Sequence, residues 1–336
     1  MINFDKDELY PLLFEPLYKE VMWGGTQLAS KLNRPIPEDG PAIGEAWEIC
    51  DREGFSSLVA NGPLAGTSLH ELVSSYGKEF VGHRFNGGLF PLLVKLIDAG
   101  KRLSLQVHPN EEACAKIGGG AEPKTEMWYV IAAERGAKII AGLSGKSTRR
   151  QFVENLNSAD IEKLLQVFDS YPGDAYFINA GRVHAIGSGN LLLEIQQNSD
   201  TTYRISDWGR TDSNGKPRQL HIEQAMESID FMDRTVPRIT GASDTTDHNR
   251  KYPLINRCPF FRVDDLKLVE DWYDSTDSTA SFHLLTAINH PIKVGRDDRI
   301  TEVPVGSTCL LPASFGSYNI IVERGSTSTV VRPARN

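Results

Sequence analysis

Histidine, glutamine and glutamate side chains occur at three places in this chain where their spacing could bind a metal ion. In LSLQVHP, Gln106 and His108 are two residues apart, so a strand here would place both on one face. Glu126 stands directly before an apolar run, and His184 follows an Asn-Ala-Gly turn between two apolar stretches. Imidazole nitrogen with carboxylate and amide oxygen suits Zn²⁺, although Fe²⁺, Mn²⁺ or Co²⁺ would also be accepted.

Each of these pieces also has a simpler explanation. A single histidine on a strand is more often a core or surface residue than a ligand, and Lys124 with Glu126 could be a surface ion pair worth under about 1 kcal/mol. Taken together, however, Q-x-H on one strand, a carboxylate one strand later and a histidine after a turn form the metal-site layout of a cupin. We therefore predict a metal site at Gln106, His108, Glu126 and His184.

The elements that must position these residues are mainly strands. Short apolar runs bounded by turn residues predict an antiparallel sandwich or barrel rather than βαβ units. These runs are Leu92–Ile97, Met127–Ala132, Lys138–Ile140, Ala175–Ile178 and Leu191–Ile195. Helical patterns cover Ser68–Tyr76, Glu111–Ile117 and Ser147–Phe168, the last as two short helices with Ser147 and Ser158 as N-caps.

A polar segment at 235–253 predicts a boundary between two domains, residues 1–238 and residues 239–336. The second domain again shows strands, at Phe260–Leu266, Ala280–Ala287, Ser307–Leu311, Tyr318–Val322 and Ser328–Val331. Two of its histidines, His283 and His290, have no carboxylate at ligand spacing, and this part is expected to be free of metal. The predicted fold class is mainly β: a double-stranded β-helix (cupin or jelly roll) with helical inserts and a second, smaller jelly-roll domain.

Composition excludes several classes of protein. The 336 residues carry a formal net charge of −8 and contain no basic block, which argues against nucleic acid as the main partner. The sequence has no apolar run of 18 residues, so no membrane span is predicted. The N-terminus does not resemble a signal peptide, and a cytoplasmic protein is expected. The four cysteines are scattered without a CxxC pair, which argues against a thiolate zinc site and against a disulfide framework.

Several motifs give the chain a recognisable family resemblance. They are, in order, PLLFEPLYKEVMWGG, GEAWEIC, PLLVKLIDAGKRLSLQVHP, PKTEMWYV and PGDAYFINAGRVHAIGSGNLLLEIQQNSDTTYRISDWGR. The chain resembles the type I mannose-6-phosphate isomerases, in the short bacterial form, over residues 10–235. One departure is Asn179-Ala180-Gly181, where this family often has Pro-Ala-Gly; Asn tolerates turn conformations nearly as well.

The resemblance implies an enzyme that interconverts mannose 6-phosphate and fructose 6-phosphate through an enediol(ate), with one Zn²⁺ per chain. It places the metal ligands on Gln106, His108, Glu126 and His184, although the short bacterial form is usually described with only the two histidines and the glutamate. Its small-molecule partner would be a sugar phosphate, and we expect a monomer or a weak homodimer.

The catalytic arginine of the family falls on Arg204, which could instead pair with Asp200 or Asp207. Glu194, a carboxylate inside LLLEIQQ, is a candidate acid or base, or else a partner for a lysine. Lys124 is counted with them as catalytic. Lys95, alone among aliphatic residues, and Ser104 are predicted to bind substrate, without a decision on which group contacts the phosphate.

Two competing functions remain at this point. Another metal-cupin enzyme, such as an iron dioxygenase, would usually have a histidine where Gln106 stands. The second alternative is a non-catalytic sugar-binding cupin, which would have kept the fold and lost the activity. The presence of the whole predicted set argues against it: Gln106, His108, Glu126, His184 and Arg204.

Overall fold

The computed structural model describes the chain except residues 1–4, 6–7, 38–39, 146, 157, 212–214, 241–243, 246–247, 278, 336 and the side chains of 244–245. Within this part strands far outnumber helices, which confirms the prediction of a mainly β protein with helical inserts.

The strands are short and follow one another along the whole described chain. In order they are β1 (Leu12–Leu13), β2 (Leu17–Gly25), β3 (Ile43–Ile49), β4 (Asp51–Arg52), β5 (Phe55–Ser56), β6 (Leu92–Ala99), β7 (Leu105–Val107), β8 (Glu126–Ala133), β9 (Lys138–Leu143), β10 (Leu165–Asp169), β11 (Ala175–Ile178), β12 (His184–Ile186), β13 (Asn190–Gln197), β14 (Tyr203–Ser206), β15 (Asp244–Thr245), β16 (Arg250–Ile255), β17 (Phe261–Leu268), β18 (Trp272–Ser275), β19 (His283–Ala287), β20 (Ile292–Arg296), β21 (Arg299–Val303), β22 (Thr308–Leu311), β23 (Ser317–Ile321) and β24 (Ser328–Arg335).

The helices are inserts between these strands. They are α1 (Gln27–Leu32), α2 (Leu69–Tyr76), α3 (Lys78–Val81), α4 (Glu111–Ile117), α5 (Arg149–Glu154) and α6 (Ile222–Ser228), with 3₁₀ turns at Ala159–Leu164 and Ala313–Phe315. Helix α2 begins as predicted, because Ser68 and Glu71 form a capping box with each other's backbone N–H groups.

The prediction of two helices over Ser147–Phe168 is only partly right. Thr148, not Ser147, caps α5, while Ser158 caps the 3₁₀ turn at Ala159–Leu164. The end of the segment is the strand β10, which pairs antiparallel with β9. The segment LQVFD therefore forms an edge strand of the five-stranded sheet, whereas its sequence pattern predicts a helix.

The described chain forms two compact units. Unit 1 contains Met1–Leu17, Trp47–Lys95 and Thr240–Asn336, and unit 2 contains Tyr18–Ala46 and Leu96–Ile239. The passage from unit 2 to unit 1 after Ile239 falls at the predicted boundary. Met1–Leu17 and Trp47–Lys95, however, belong to the same unit as the C-terminal segment, and the pairing of β1 with β22 accounts for the first of them. That residues 1–238 and 239–336 are separate domains stays a prediction.

Unit 1 contains a seven-stranded sheet in the order β1-β22-β19-β24-β17-β16-β15 and a four-stranded sheet in the order β18-β23-β20-β21. Its main core joins the two sheets through residues such as Leu285, Leu311 and Val330 on one side and Val294 and Ile320 on the other. This is the sandwich that the sequence predicted for the C-terminal part.

Unit 2 contains a five-stranded sheet, β10-β9-β12-β7-β14, and strands β11, β8 and β13 of a six-stranded sheet whose order is β11-β8-β13-β6-β2-β3. One face of the five-stranded sheet, with Ala141 and Ile186, shares a core with Trp128 and Val130 of the six-stranded sheet. We call this the inner face. The outer face, which includes Ala185, packs under the helical inserts.

None of the helices in the described ranges is both long and apolar enough to cross a membrane. The four cysteines are free thiols, with Cys50, Cys258 and Cys309 buried and Cys114 partly buried.

Asp98 is expected to make the stability of the protein depend on pH. It is buried on β6, and its Oδ2 accepts a hydrogen bond from the backbone N–H of Leu28 at 2.9 Å. Burial raises the pKa of its carboxyl to about 6, although the backbone N–H groups of Leu28 and Gln27 oppose the shift. The native state therefore keeps a proton that the unfolded chain has lost, so the contribution of Asp98 to the free energy of unfolding falls between about pH 4 and pH 6.

The variant Asp98→Asn removes this titration. Between about pH 4 and pH 6, the free energy of unfolding of the wild type should fall by up to about 3 kcal/mol more than that of Asp98→Asn. The measurement is urea unfolding of both proteins at several pH values. Asp298→Asn, at an exposed position, is the control. Parallel pH profiles for the wild type and Asp98→Asn would contradict the prediction.

Candidate metal centre

His108, Glu126 and His184 meet between the two sheets of unit 2. One ligand atom from each lies within 4.8 Å of the others, and all three residues are buried. Strand alternation explains the meeting. In β12, His184 and Ile186 face inward while Ala185 faces outward, and in β8 Glu126 is on the same face as Trp128. His108 follows directly after β7. The predicted proximity is confirmed; the role of these residues as ligands stays a prediction here.

Backbone carbonyl groups fix the orientation of both histidine rings. The Nδ1 of His108 lies 2.8 Å from the carbonyl oxygen of Thr201, and the Nδ1 of His184 lies 2.8 Å from that of Arg182. A carbonyl can only accept, so each Nδ1 carries the proton and each Nε2 keeps its lone pair. The two Nε2 atoms lie 3.4 Å and 3.5 Å from carboxylate oxygens of Glu126. Ring fixation of this kind is characteristic of histidines that bind metals.

The protonation states also suit a metal site. Burial and then the positive charge of Lys124 lower the pKa of His108, and burial followed by His108 lowers the pKa of His184 to about 3. Burial opposes ionisation of Glu126, but Lys124 and the two histidines hold the pKa of its carboxyl well below its ordinary value. Two neutral imidazoles and an ionised carboxylate are the forms that coordinate a metal ion.

Three polar atoms at the centre have no hydrogen bond. Within the part of the chain that the structure describes, His108 Nε2 and both carboxylate oxygens of Glu126 are buried without a hydrogen-bond partner, although Oε2 is in ion contact with Lys124. Leaving such atoms unsatisfied is unfavourable, and a cation between the imidazole and the carboxylate would satisfy them. The residues present therefore fit a divalent metal ion.

Lys124 and Glu126 form a buried ion pair rather than the surface pair considered above. The Lys124 Nζ lies 2.9 Å from Glu126 Oε2, and both side chains are almost fully buried. The ammonium group is therefore part of the centre and supplies a positive charge beside it.

Gln106 and Ser104 lie at the edge of this cluster. Gln106 is paired with His184 across β7 and β12, and its Nε2 lies 3.2 Å from His184 Nε2, to which it can donate. The hydroxyl of Ser104 donates to Gln106 Oε1 at 3.2 Å. Rotating the amide by half a turn would exchange its oxygen and nitrogen, so Gln106 can present either a donor or a metal-binding oxygen to the centre.

Arg204 is on the same sheet face as these residues. It is paired with Gln106 across β14 and β7, while its neighbours Tyr203 and Ile205 pack on the outer face. Its Nη1 donates to the carbonyl oxygen of Gln219 at 2.8 Å. Asp207 instead pairs with Arg210 and Arg218, and Arg204 has no ion pair within the described residues. The alternative of an Arg204–Asp207 pair is therefore wrong.

Glu194 is connected to the centre through Trp128. It lies opposite Trp128 on β13 and β8, and its Oε1 accepts a hydrogen bond from the Trp128 indole at 3.0 Å. The Trp128 ring in turn packs edge-on against His184, with 5.4 Å between ring centroids. Glu194 thus faces the inner side of the sandwich.

Lys95 is the one predicted site residue that belongs to unit 1. Its side chain is buried, and its ammonium group lies 4.7 Å from the centre of the Trp47 ring. This cation–π contact stabilises the positive charge among the aliphatic residues. Its role in substrate binding stays a prediction.

Sequence reasoning missed the groups that orient the histidines. The carbonyl groups of Thr201 and Arg182 leave no signal in residue type, because every residue has one. Trp128 was visible as a tryptophan next to the carboxylate strand, but nothing in the sequence indicated that it joins Glu194 to His184.

Comparisons with known proteins find similar sequences and a similar fold. A model of the phosphomannose isomerase type I catalytic domain matches residues 12–141. The mannose-6-phosphate isomerase ManA of Bacillus subtilis is 34% identical over 92% of this chain and 95% of its own. GmuF of the same organism, named a probable mannose-6-phosphate isomerase, is 42% identical over 93% of this chain and 96% of its own. The crystal structure of the mannose 6-phosphate isomerase from Bacillus subtilis superposes with a TM-score of 0.85 at 31% identity, covering 97% of this chain and 99% of the other.

We expect His108→Ala to abolish metal retention, because it removes one of the three charged or imidazole ligands from a buried cluster. Metal content is measured by elemental analysis after exhaustive dialysis. His248→Ala, at an exposed histidine, is the control and should retain as much metal as the wild type. Wild-type metal content in His108→Ala would show that the ion binds elsewhere.

Proposed function

This chain belongs to the type I phosphomannose isomerase family, and we propose that His108, Glu126 and His184 hold the metal ion with which it interconverts mannose 6-phosphate and fructose 6-phosphate. The observation that carries the proposal is the buried centre itself. Two oriented imidazoles and an ionised carboxylate meet between the two sheets of a cupin-type sandwich, and Arg204 is on the inner face of the five-stranded sheet opposite Gln106.

Zn²⁺ is the metal that we propose, one ion per chain. The donor set of two nitrogens and one carboxylate oxygen, with the amide of Gln106 beside them, is of the type that zinc accepts. When bound, the ion supplies a Lewis acid that polarises the oxygens on C1 and C2 of the sugar. Iron, manganese and cobalt are the alternatives for the same ligands.

Arg204 is proposed to stabilise negative charge on substrate oxygen. The reaction moves a proton between C1 and C2 through an enediol(ate), so an oxygen gains negative charge on the way. A guanidinium group is permanently protonated and offers several donors, which suits this task better than that of a base. Arg204 is opposite Gln106 and forms no ion pair with a carboxylate of the described residues. Its positive charge is therefore available to interact with the substrate.

Glu194 is the candidate for moving the proton. It is the carboxylate that faces the inner side of the sandwich beside the metal cluster, held by the Trp128 indole through one oxygen. Lys124 keeps Glu126 ionised and adds positive charge near the substrate oxygens. Ser104 and Lys95 stay predicted contacts of the sugar phosphate, and the cytoplasmic location and the monomer or weak homodimer stay predictions as well.

The central test is formation of fructose 6-phosphate from mannose 6-phosphate in a coupled assay. We expect activity that a chelator removes and added Zn²⁺ restores, because the proposed ligands are two neutral imidazoles and an ionised carboxylate, the forms that coordinate a metal ion. Parallel restoration with Fe²⁺, Mn²⁺ and Co²⁺ identifies the preferred metal. Lack of turnover in the zinc-loaded protein would overturn the isomerase assignment.

Arg204→Ala should leave the metal bound and lower kcat by about a hundredfold or more, the usual cost of removing one donor to a developing oxyanion. Metal content and turnover are measured on the same sample, and Arg149→Ala, an exposed arginine on α5, is the control. If Arg204→Ala lost its metal as fully as His108→Ala, Arg204 would be structural instead.

A further inference from the structure

A cavity of about 510 Å³ in unit 1 is lined by positive side chains. Four arginines and a histidine contribute to it, together with Cys258, Pro259, Thr279 and Ala280, and no Asp or Glu is among its described lining residues. The arginines are Arg84, Arg257, Arg262 and Arg335, and the histidine is His83. We call it the arginine cavity. Such a concentration is unexpected in a chain with a net charge of −8.

The arginines of this cavity are not neutralised by the protein. Within the described residues, none of the four guanidinium groups forms an ion pair with a carboxylate. The contrast with Arg332 is direct, because that arginine, in the same unit, pairs with Asp264 and Asp274. Asp277, in the loop that carries Thr279, directs its carboxylate to the hydroxyl and backbone N–H of Thr279.

Burial and the repulsion of like charges both act on the arginines of this cavity. The Nε of Arg262 is buried and has no hydrogen-bond partner in the described part of the chain. Burial, and then the positive charge of Arg84, lower the pKa of Arg335. Both effects are unfavourable in the free protein, and an anion in the cavity would relieve both.

The backbone fixes the positions from which these side chains extend. Arg262 and Arg335 are on the adjacent strands β17 and β24, where Arg335 is paired with Phe261. The backbone N–H of Arg335 donates to the hydroxyl of Ser281 at 2.9 Å.

On the opposite wall, Gly82 has a φ of 111°, and a Cβ there would lie 2.4 Å from the carbonyl oxygen of Ala280. This close approach holds His83 and Arg84 against the 279–281 loop. The cavity is therefore built by regular strands and a packed turn.

We propose that the arginine cavity binds a small organic phosphate that carries at least two negative charges. Guanidinium groups bind phosphate through paired N–H donors, and several of them around one cavity favour a multiply charged ligand over a single carboxylate. A volume of about 510 Å³ has room for more than an inorganic ion and is typical of small-molecule sites. The ligand is smaller than a nucleic acid, which would need an extended basic surface.

The proposal does not depend on the isomerase function. The lining residues all belong to unit 1, whereas the predicted metal ligands, Arg204 and Glu194 belong to unit 2.

The test is calorimetric titration of the metal-loaded protein with inorganic diphosphate at low ionic strength. The double variant Arg84→Gln, Arg257→Gln changes two exposed side chains and should fold normally, and Arg262→Gln probes the partly buried wall. Arg324→Gln, an exposed arginine of the same unit that does not line the cavity, removes one positive charge and is the matched control for Arg262→Gln.

We expect the Kd for diphosphate to rise about tenfold or more in the double variant and in Arg262→Gln, and to change less than about twofold in Arg324→Gln. Diphosphate could also bind near the metal, so the difference between variants is the decisive quantity. The KM for mannose 6-phosphate should be unchanged in all of them, which distinguishes this site from the isomerase site. Equal diphosphate affinity in all variants, or no binding to the wild type at millimolar diphosphate, would overturn the proposal.

Discussion

The buried negative charge of Glu126 is the constraint on which the metal centre depends. A carboxylate enclosed between two sheets is strongly destabilised unless cations or donors surround it. Here Lys124 lies 2.9 Å away, and both histidines direct Nε2 toward the carboxylate. Because those imidazoles are neutral, they add lone pairs rather than charge, so the cluster still favours a cation. Burial of one carboxylate thus explains the lysine beside it, while the backbone carbonyl groups of Thr201 and Arg182 orient the two rings.

Strand alternation delivers the participating side chains to the same place. Gln106 of β7, His184 of β12 and Arg204 of β14 face inward. Their neighbours Leu105, Ala185 and Tyr203 pack outward under the helices. Strands β7 and β12 have only three residues each, so these outward contacts fix their register. A shift by one residue would bury Gln106 in the outer core and expose apolar side chains to the centre.

Much of this could be predicted from the sequence. The central strands β6, β8, β11 and β13 were found nearly at their true bounds, because their apolar runs are continuous and end at turn residues. The predicted strand at Ala280–Ala287 starts three residues too early, since Ala280 is in a turn and β19 begins at His283. Strands β16, β18, β20 and β21 were missed, because each is short and mixes charged residues with apolar ones, so no continuous apolar run marks it. The family resemblance is confirmed, whereas the long-range grouping of β1 with β22 has no local signal.

The ion pair between Lys124 and Glu126 has a consequence for the order of events during synthesis. In small zinc domains the apoprotein is unfolded, because nothing but the ion neutralises the ligands. Here the chain supplies its own ammonium group to the buried carboxylate, and the histidine rings are already held by backbone carbonyls. The sandwich can therefore fold before any metal ion is bound, with His108, Glu126 and His184 already arranged around one point.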